Sequence, residues 1–137
     1  MADFLSFTEG KNELMSNGLP STCYFLLSTK SVDATSAHTA GETLAGATLG
    51  EITGTGYSRQ SQSEPTPAGG TAVFTQMSFA TSSATDWSST VRSVVLATGA
   101  AGTGKAICAW NLQTGGTARD MSTANTTEQV TPTLVVA

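Results

Sequence analysis

Between Val91 and Leu112 two apolar runs, VRSVVLAT and AICAWNL, flank seven mostly small residues, GAAGTGK. Two β-prone runs joined by a short glycine-bearing segment have few ways to fold, and a hairpin is the simplest. The second run alternates, with Ala106, Cys108, Trp110 and Leu112 on one face. Its Ile, Cys and Trp suit a half-buried strand better than a helix. The joining segment also nearly fits the phosphate-cradling pattern G-x-x-x-x-G-K-[ST]. That pattern needs a strand before it, a hydroxyl after the lysine for Mg²⁺, and a helix whose N-terminus faces the phosphates. Position 106 is alanine, and Thr114-Gly115-Gly116-Thr117 signals a turn too soon for such a helix. The segment is therefore read as a hairpin tip, and the nucleotide reading is set aside.

The rest of the chain follows the same grammar. Residues 6–17 predict the one helix. Ser6-x-x-Glu9 has the spacing of a capping box, Phe7, Leu14 and Met15 share a face, and Asn17-Gly18 with Pro20 stops it. Residues 1–5 form a short arm carrying Phe4 and Leu5. Cys23-Tyr24-Phe25-Leu26-Leu27 is a continuous apolar run, expected to be a central strand buried on both faces. Residues 30–46 form a long polar loop, a kind usually functional or held by a partner. Residues 48–59 are expected to be extended. Residues 63–70 are a proline/glycine turn region. Residues 71–81 alternate, with Val73, Thr75, Met77 and Phe79 on one face. Residues 91–98 and 130–136 complete the strands, Pro132 marking an edge or a strand start. The sum is a mainly β chain: a single-domain β-sandwich or jelly-roll-like fold over 21–137, behind one short N-terminal helix.

Composition narrows the function. Thr, Ala, Ser and Gly make up more than half of the 137 residues, and only 12% are charged. Soluble domains usually carry about 25%, so a surface this poor in charge suits a protein covered by neighbours or a secreted one. The net charge is −4 and the six cations are scattered. That argues against a nucleic-acid partner, which needs a basic patch. No apolar stretch approaches the roughly 20 residues of a membrane span. MADFLSFTEGKNEL lacks the basic and apolar regions of a secretory signal, so synthesis in a cytoplasm is expected. Cys23 and Cys108 are read as buried reduced thiols, with a disulfide formed after release as the alternative.

Chemistry-bearing residues are sparse. His38 is the one histidine. A Ser-His-acid triad would need it held by an oriented carboxylate, for which Asp33 and Glu42 lie near in sequence. On a polar loop it is expected to be solvated. One histidine and two distant cysteines cannot make a Cys/His zinc cluster, and no calcium-loop pattern occurs. Trp87 and Trp110 are read as sandwich core, with stacking on a sugar as the alternative. No catalytic, cofactor-binding or metal-binding residue is assigned. Phe4 and Leu5 are frayed arm residues or dock into a neighbour. Together with Phe7, His38 and Thr39 they form the candidate partner interface.

The order of features resembles a family of small virion structural proteins of tailed bacteriophages. The shared elements are the N-terminal helix ending in Asn17-Gly18, the strand Tyr24-Phe25-Leu26-Leu27-Ser28-Thr29, and the element Gly54-Thr55-Gly56-Tyr57. They continue with the step Ala72-Val73-Phe74, the segment Trp87-Ser88-Ser89-Thr90, and a hydrophobic strand before a small-residue hairpin. The chain departs from that pattern in its long loop 30–46. The resemblance implies a structural part of the virion with no enzyme activity and no cofactor. It would be made in the host cytoplasm and placed on the capsid surface as a decoration protein that stabilises contacts between major capsid protein subunits. The expected partners are the major capsid protein and copies of itself, as a trimer or other oligomer, with no nucleic acid and no membrane. Two other roles stay open: a tail or head–tail component, and a carbohydrate-binding β-sandwich.

Overall fold

The computed structural model describes residues 4–33, 37–46, 48–100 and 104–135. A five-stranded antiparallel sheet is its frame. The strands are β1 (Phe4–Ser6), β2 (Thr22–Ser28), β3 (Gln60–Ser63), β6 (Ser93–Ala97) and β7 (Ala106–Asn111), in the spatial order β1-β7-β6-β2-β3. Two ribbons accompany it, β4 (Thr71–Val73) with β9 (Thr133–Val135), and β5 (Met77–Ala80) with β8 (Thr127–Val130). One helix, α1 (Thr8–Asn17), precedes β2. The fold is mainly β, as the alternating runs predict.

Packing makes three layers. Alternate residues of a strand face opposite sides of its sheet. Phe25, Leu27, Val94, Leu96 and Trp110 share one core with Ala72, Phe74, Met77, Phe79, Val130 and Leu134 of the ribbon side, so the two ribbons form a split second layer of a sandwich. Leu26, Val95, Ala97, Ala106 and Ala109 share a second core with Phe7, Leu44 and Leu49. The third layer is thus the start of α1 with Val32, Leu44 and Leu49 of the loop after β2. This is why β2 and β6 carry consecutive apolar residues: they are covered on both sides, and β7 shares that cover. β7 is buried at every residue, a correction to the half-buried strand expected from its alternation.

The hairpin is real. Val94 pairs with Trp110, Val95 with Ala109 and Leu96 with Cys108. The Thr98 N–H donates to the Lys105 carbonyl at 3.0 Å, closing its neck. Residues 101–103 at its tip lie outside the described residues. A strand follows the lysine where a phosphate loop requires a helix.

Several local expectations are corrected. Phe4–Ser6 is not a free arm but an edge strand on β7, with Phe4 opposite Trp110 and Leu5 opposite Ala109. The helix starts at Thr8, and its N-cap Phe7 makes no side-chain cap. Ser6 belongs to β1, and Glu9 turns inward instead of closing a capping box. Its Oε1 accepts from the Ala106 N–H at 2.6 Å and the Leu44 N–H at 2.8 Å. Leu14 is half-buried, whereas Met15 is 87% exposed. The stop is as read: Gly18 takes φ 72° and its N–H donates to the Leu14 carbonyl. In 48–59 only Glu51 makes a β-bridge, to Ser28, and the strand comes later, as β3. The 71–81 run breaks into β4 and β5 and changes phase, so Ala72, Phe74, Met77 and Phe79 point inward while Val73 and Thr75 point out. The C-terminal run breaks at Thr131-Pro132 between β8 and β9.

Candidate functional site

The 30–46 loop is where polar chemistry gathers, and among its described residues Ser31, His38, Glu42 and Leu44 are folded down onto the sheet. As it leaves β2, the Ser28 hydroxyl donates to the Leu49 carbonyl and the Thr29 N–H to the Gly50 carbonyl. The Val32 N–H donates to Asn111 Oδ1 at 2.8 Å, and Asn111 Nδ2 donates to Asp33 Oδ1 at 2.7 Å, tying the loop to the end of β7. The His38 N–H reaches the Ser31 carbonyl at 2.7 Å and fixes the imidazole over the sheet. Residues 34–36 lie outside the described residues.

Three side chains then line up. His38 Nδ1 lies 2.7 Å from Glu42 Oε2, and Nε2 lies 3.1 Å from the hydroxyl of Ser93 on β6. Lys30 holds the other oxygen of Glu42 as an ion pair. The Phe7 ring packs against the imidazole in a T-shaped contact with centroids 5.4 Å apart. Ser93, His38 and Glu42 are all buried. An ionised carboxylate only accepts, so in the neutral imidazole Nδ1 carries the hydrogen and Nε2 accepts from Ser93. Burial pushes the pKa of His38 below the ordinary histidine value, against the opposing pull of Glu42. Burial alone would raise Glu42, but its hydrogen bonds from Lys30 and His38 outweigh this and hold the carboxyl below its usual value. The solvated loop histidine expected from the sequence is therefore corrected. Of the two nearby acids, Glu42 is the partner and Asp33 serves Asn111.

Hydroxyl, imidazole and carboxylate in this order are the parts of a nucleophilic relay. Here the topology opposes that use. Ser93 has no exposed surface, and the segment that covers it is the one that carries His38 and Glu42. Lifting the cover to admit a substrate would take the base away from the hydroxyl. What the arrangement does is clamp the loop to β6.

The remaining candidates are structural. Trp87 and Trp110 are buried, and each indole N–H is spent on a backbone carbonyl, Thr55 at 2.8 Å and Thr133 at 3.0 Å. Neither ring offers a free face for a sugar, which removes the support for a carbohydrate module. Cys23 and Cys108 are free and buried. They lie on β2 and β7 with β6 between, so their Cα atoms are at least roughly 9 Å apart, beyond the reach of a disulfide. Burial, with Glu64 adding to it, pushes the Cys23 thiol up to about 11.

The interface residues read from sequence separate into two groups. Phe7 is buried in the second core and His38 is buried against it, so neither side chain is presented on the surface. Phe4 remains 42% exposed while packing on Trp110, Leu5 is half-buried, and Thr39 is exposed. Sequence reasoning missed the outer face of the β4–β9 ribbon. Thr71 pairs with Val135, Ala72 with Leu134 and Val73 with Thr133. Ala72 and Leu134 are in the core, which leaves Val73 at 55% and Val135 at 57% exposed on the other side. Beside this ribbon a groove of about 270 Å³ runs between Leu14 and Leu19 on one wall and Ala72 and Leu134 on the other. The apolar content of 71–73 and 133–135 was the available signal, but its phase was not readable.

Compared with known proteins, the chain matches no family model, no curated protein and no solved structure.

Proposed function

We propose that this chain is a virion structural protein of a tailed bacteriophage, without enzyme activity, that binds the outside of the capsid and stabilises contacts between major capsid protein subunits. The observation that carries this reading is apolar surface on a chain poor in charge. Val73 and Val135 stand in solvent on one ribbon face, Phe4 on the sheet edge, and only 12% of residues are charged. Such a surface is suited to burial against neighbours, since stable interfaces have apolar centres. The order of sequence features shared with small virion proteins points the same way. The buried tryptophans turn the balance away from sugar binding.

The test is co-sedimentation of the purified protein with capsid shells that lack it. The wild-type chain should saturate the shells at a fixed stoichiometry. Val73→Lys with Val135→Lys changes two exposed side chains and should leave folding within about 0.5 kcal/mol of wild type. It should weaken shell binding about tenfold or more, a loss of about 1.4 kcal/mol. Wild-type protein that stays in the supernatant contradicts the proposal. Binding by the double variant equal to wild type removes the ribbon face from it.

A further inference from the structure

The clamp on the 30–49 segment has a chemical property that its geometry dictates. Above the ordinary histidine pKa the imidazole uses one donor and one acceptor, and both are matched: Glu42 accepts from Nδ1, and Ser93 donates to Nε2. A second proton on the ring makes Nε2 a donor. Ser93 must then turn its own hydrogen elsewhere, and leaving a buried donor unmatched costs about 1–3 kcal/mol. Charge works in the same direction. Lys30 and Glu42 already neutralise each other, so an imidazolium adds an uncompensated positive charge to a site walled by Phe7 and the sheet. The other charged groups of the surrounding elements are engaged elsewhere. Glu9 of α1 accepts from the Leu44 and Ala106 amides, Lys105 lies beside it, and Asp33 holds Asn111 of β7.

We propose that His38 is an acid-sensitive latch: neutral, it bolts the stretch carrying His38, Glu42 and Leu44 across β6, and on taking up a proton it releases that stretch from the sheet. What the segment covers gives the release a consequence. Leu44 and Leu49 shield Leu26, Val95, Ala97 and Ala109, so an opened latch exposes the second apolar face of the molecule. The direction of the His38 pKa agrees. In an opened segment the imidazole returns to about 6.5, whereas closed it lies lower. The open form therefore binds more protons within that window. The closed form holds its full advantage above about pH 6.5 and loses it as the pH falls to the closed-state value, by up to about tenfold per pH unit. Glu42, whose pKa is held low, adds a second loss only below about pH 4.3.

Hydrogen–deuterium exchange read by mass spectrometry tests the latch on the full chain. Protection of peptides covering 37–49, corrected for intrinsic exchange, should fall between pH 7.5 and 5.5, by up to about tenfold. Peptides covering β6 should hold until global unfolding. In His38→Gln, whose side chain takes up no proton in this range, the pH dependence of 37–49 should vanish. Unchanged wild-type protection overturns the proposal, and so does a fall of equal size in His38→Gln. Should that variant not fold, wild-type NMR gives a second reading, because one histidine gives one imidazole titration. A native midpoint below 6.5 accompanied by shifts of the 37–49 amides supports the latch. A midpoint at or above 6.5, or a titration that moves Lys30 to water while 37–49 stays protected, overturns it.

Discussion

Gly10 is the point at which the helix meets the sheet. A Cβ built there would sit 2.3 Å from the Ile107 carbonyl oxygen and 2.4 Å from its Cα. Backbone cannot yield as a flexible side chain can, so α1 must lift or tilt to admit even one methyl group. Gly10→Ala is expected to destabilise the fold by about 1–3 kcal/mol, read as a lowered Tm, despite alanine's better helix propensity. A raised Tm would show that the helix does not lie against β7. Glu9 beside it gives a second test. Glu9→Ala strands the amides of Leu44 and Ala106, each worth about 1–3 kcal/mol when left unmatched, so chemical denaturation should show a loss above 1 kcal/mol. The sequence marked Glu9 and misjudged it as a local cap, and a glycine inside a helix reads only as lost propensity. Gly10 meets Ile107 and Glu9 meets Ala106, both on β7, and Glu9 also reaches Leu44 in the loop after β2, none of which a local pattern can show. His38 was illegible for the same reason, since Ser93 is its partner across 55 positions.

Elements were legible where the chain is covered on both faces. β2 and β6 carry consecutive apolar residues because the ribbons lie on one side of them and the start of α1 with Leu44 and Leu49 on the other, and β7 has the same cover although its alternation suggested one buried face. β3 escaped because Gln60–Ser63 is a polar edge strand, recognised by β2 through backbone pairing alone. The break between β4 and β5 escaped because alternation reports period and not phase. The Phe74 N–H donates to the Pro132 carbonyl, and the chain then crosses to the second ribbon. Two predictions belong to this scale. With β6 between them, Cys23 and Cys108 should both remain free thiols. Ellman's reagent should find neither in the native protein and two after denaturation without reductant; one or none after denaturation contradicts the strand order. Lys105 stands at the hairpin neck with an exposed side chain. Lys105→Ala should leave Tm within about two degrees, in keeping with a surface change below about 0.5 kcal/mol. Calorimetry with ATP and Mg²⁺ should show no binding before or after the substitution, and tight binding by the wild type would overturn the hairpin reading.

At the scale of the whole molecule, three layers leave two kinds of surface. The 30–49 side is closed by buried hydrogen bonds around His38, so its apolar contacts are internal at neutral pH. The ribbon side and the β1 edge keep Val73, Val135 and Phe4 in solvent. A partner is therefore expected on the ribbon side first, and the loop side becomes apolar only on acidification. The deletion of residues 1–5, natural for a free arm, is a poor test because it removes part of β1 and uncovers Trp110. Point changes at Val73 and Val135 separate binding from folding. The most direct measurement is a cryo-electron microscopy map of the assembled particle that carries this chain. The account predicts density for it on the outer surface of the head, at seams between major capsid protein subunits, with the β4–β9 face turned to a neighbour. Density confined to the tail, or a head-bound copy whose ribbon face looks into solvent, would contradict it.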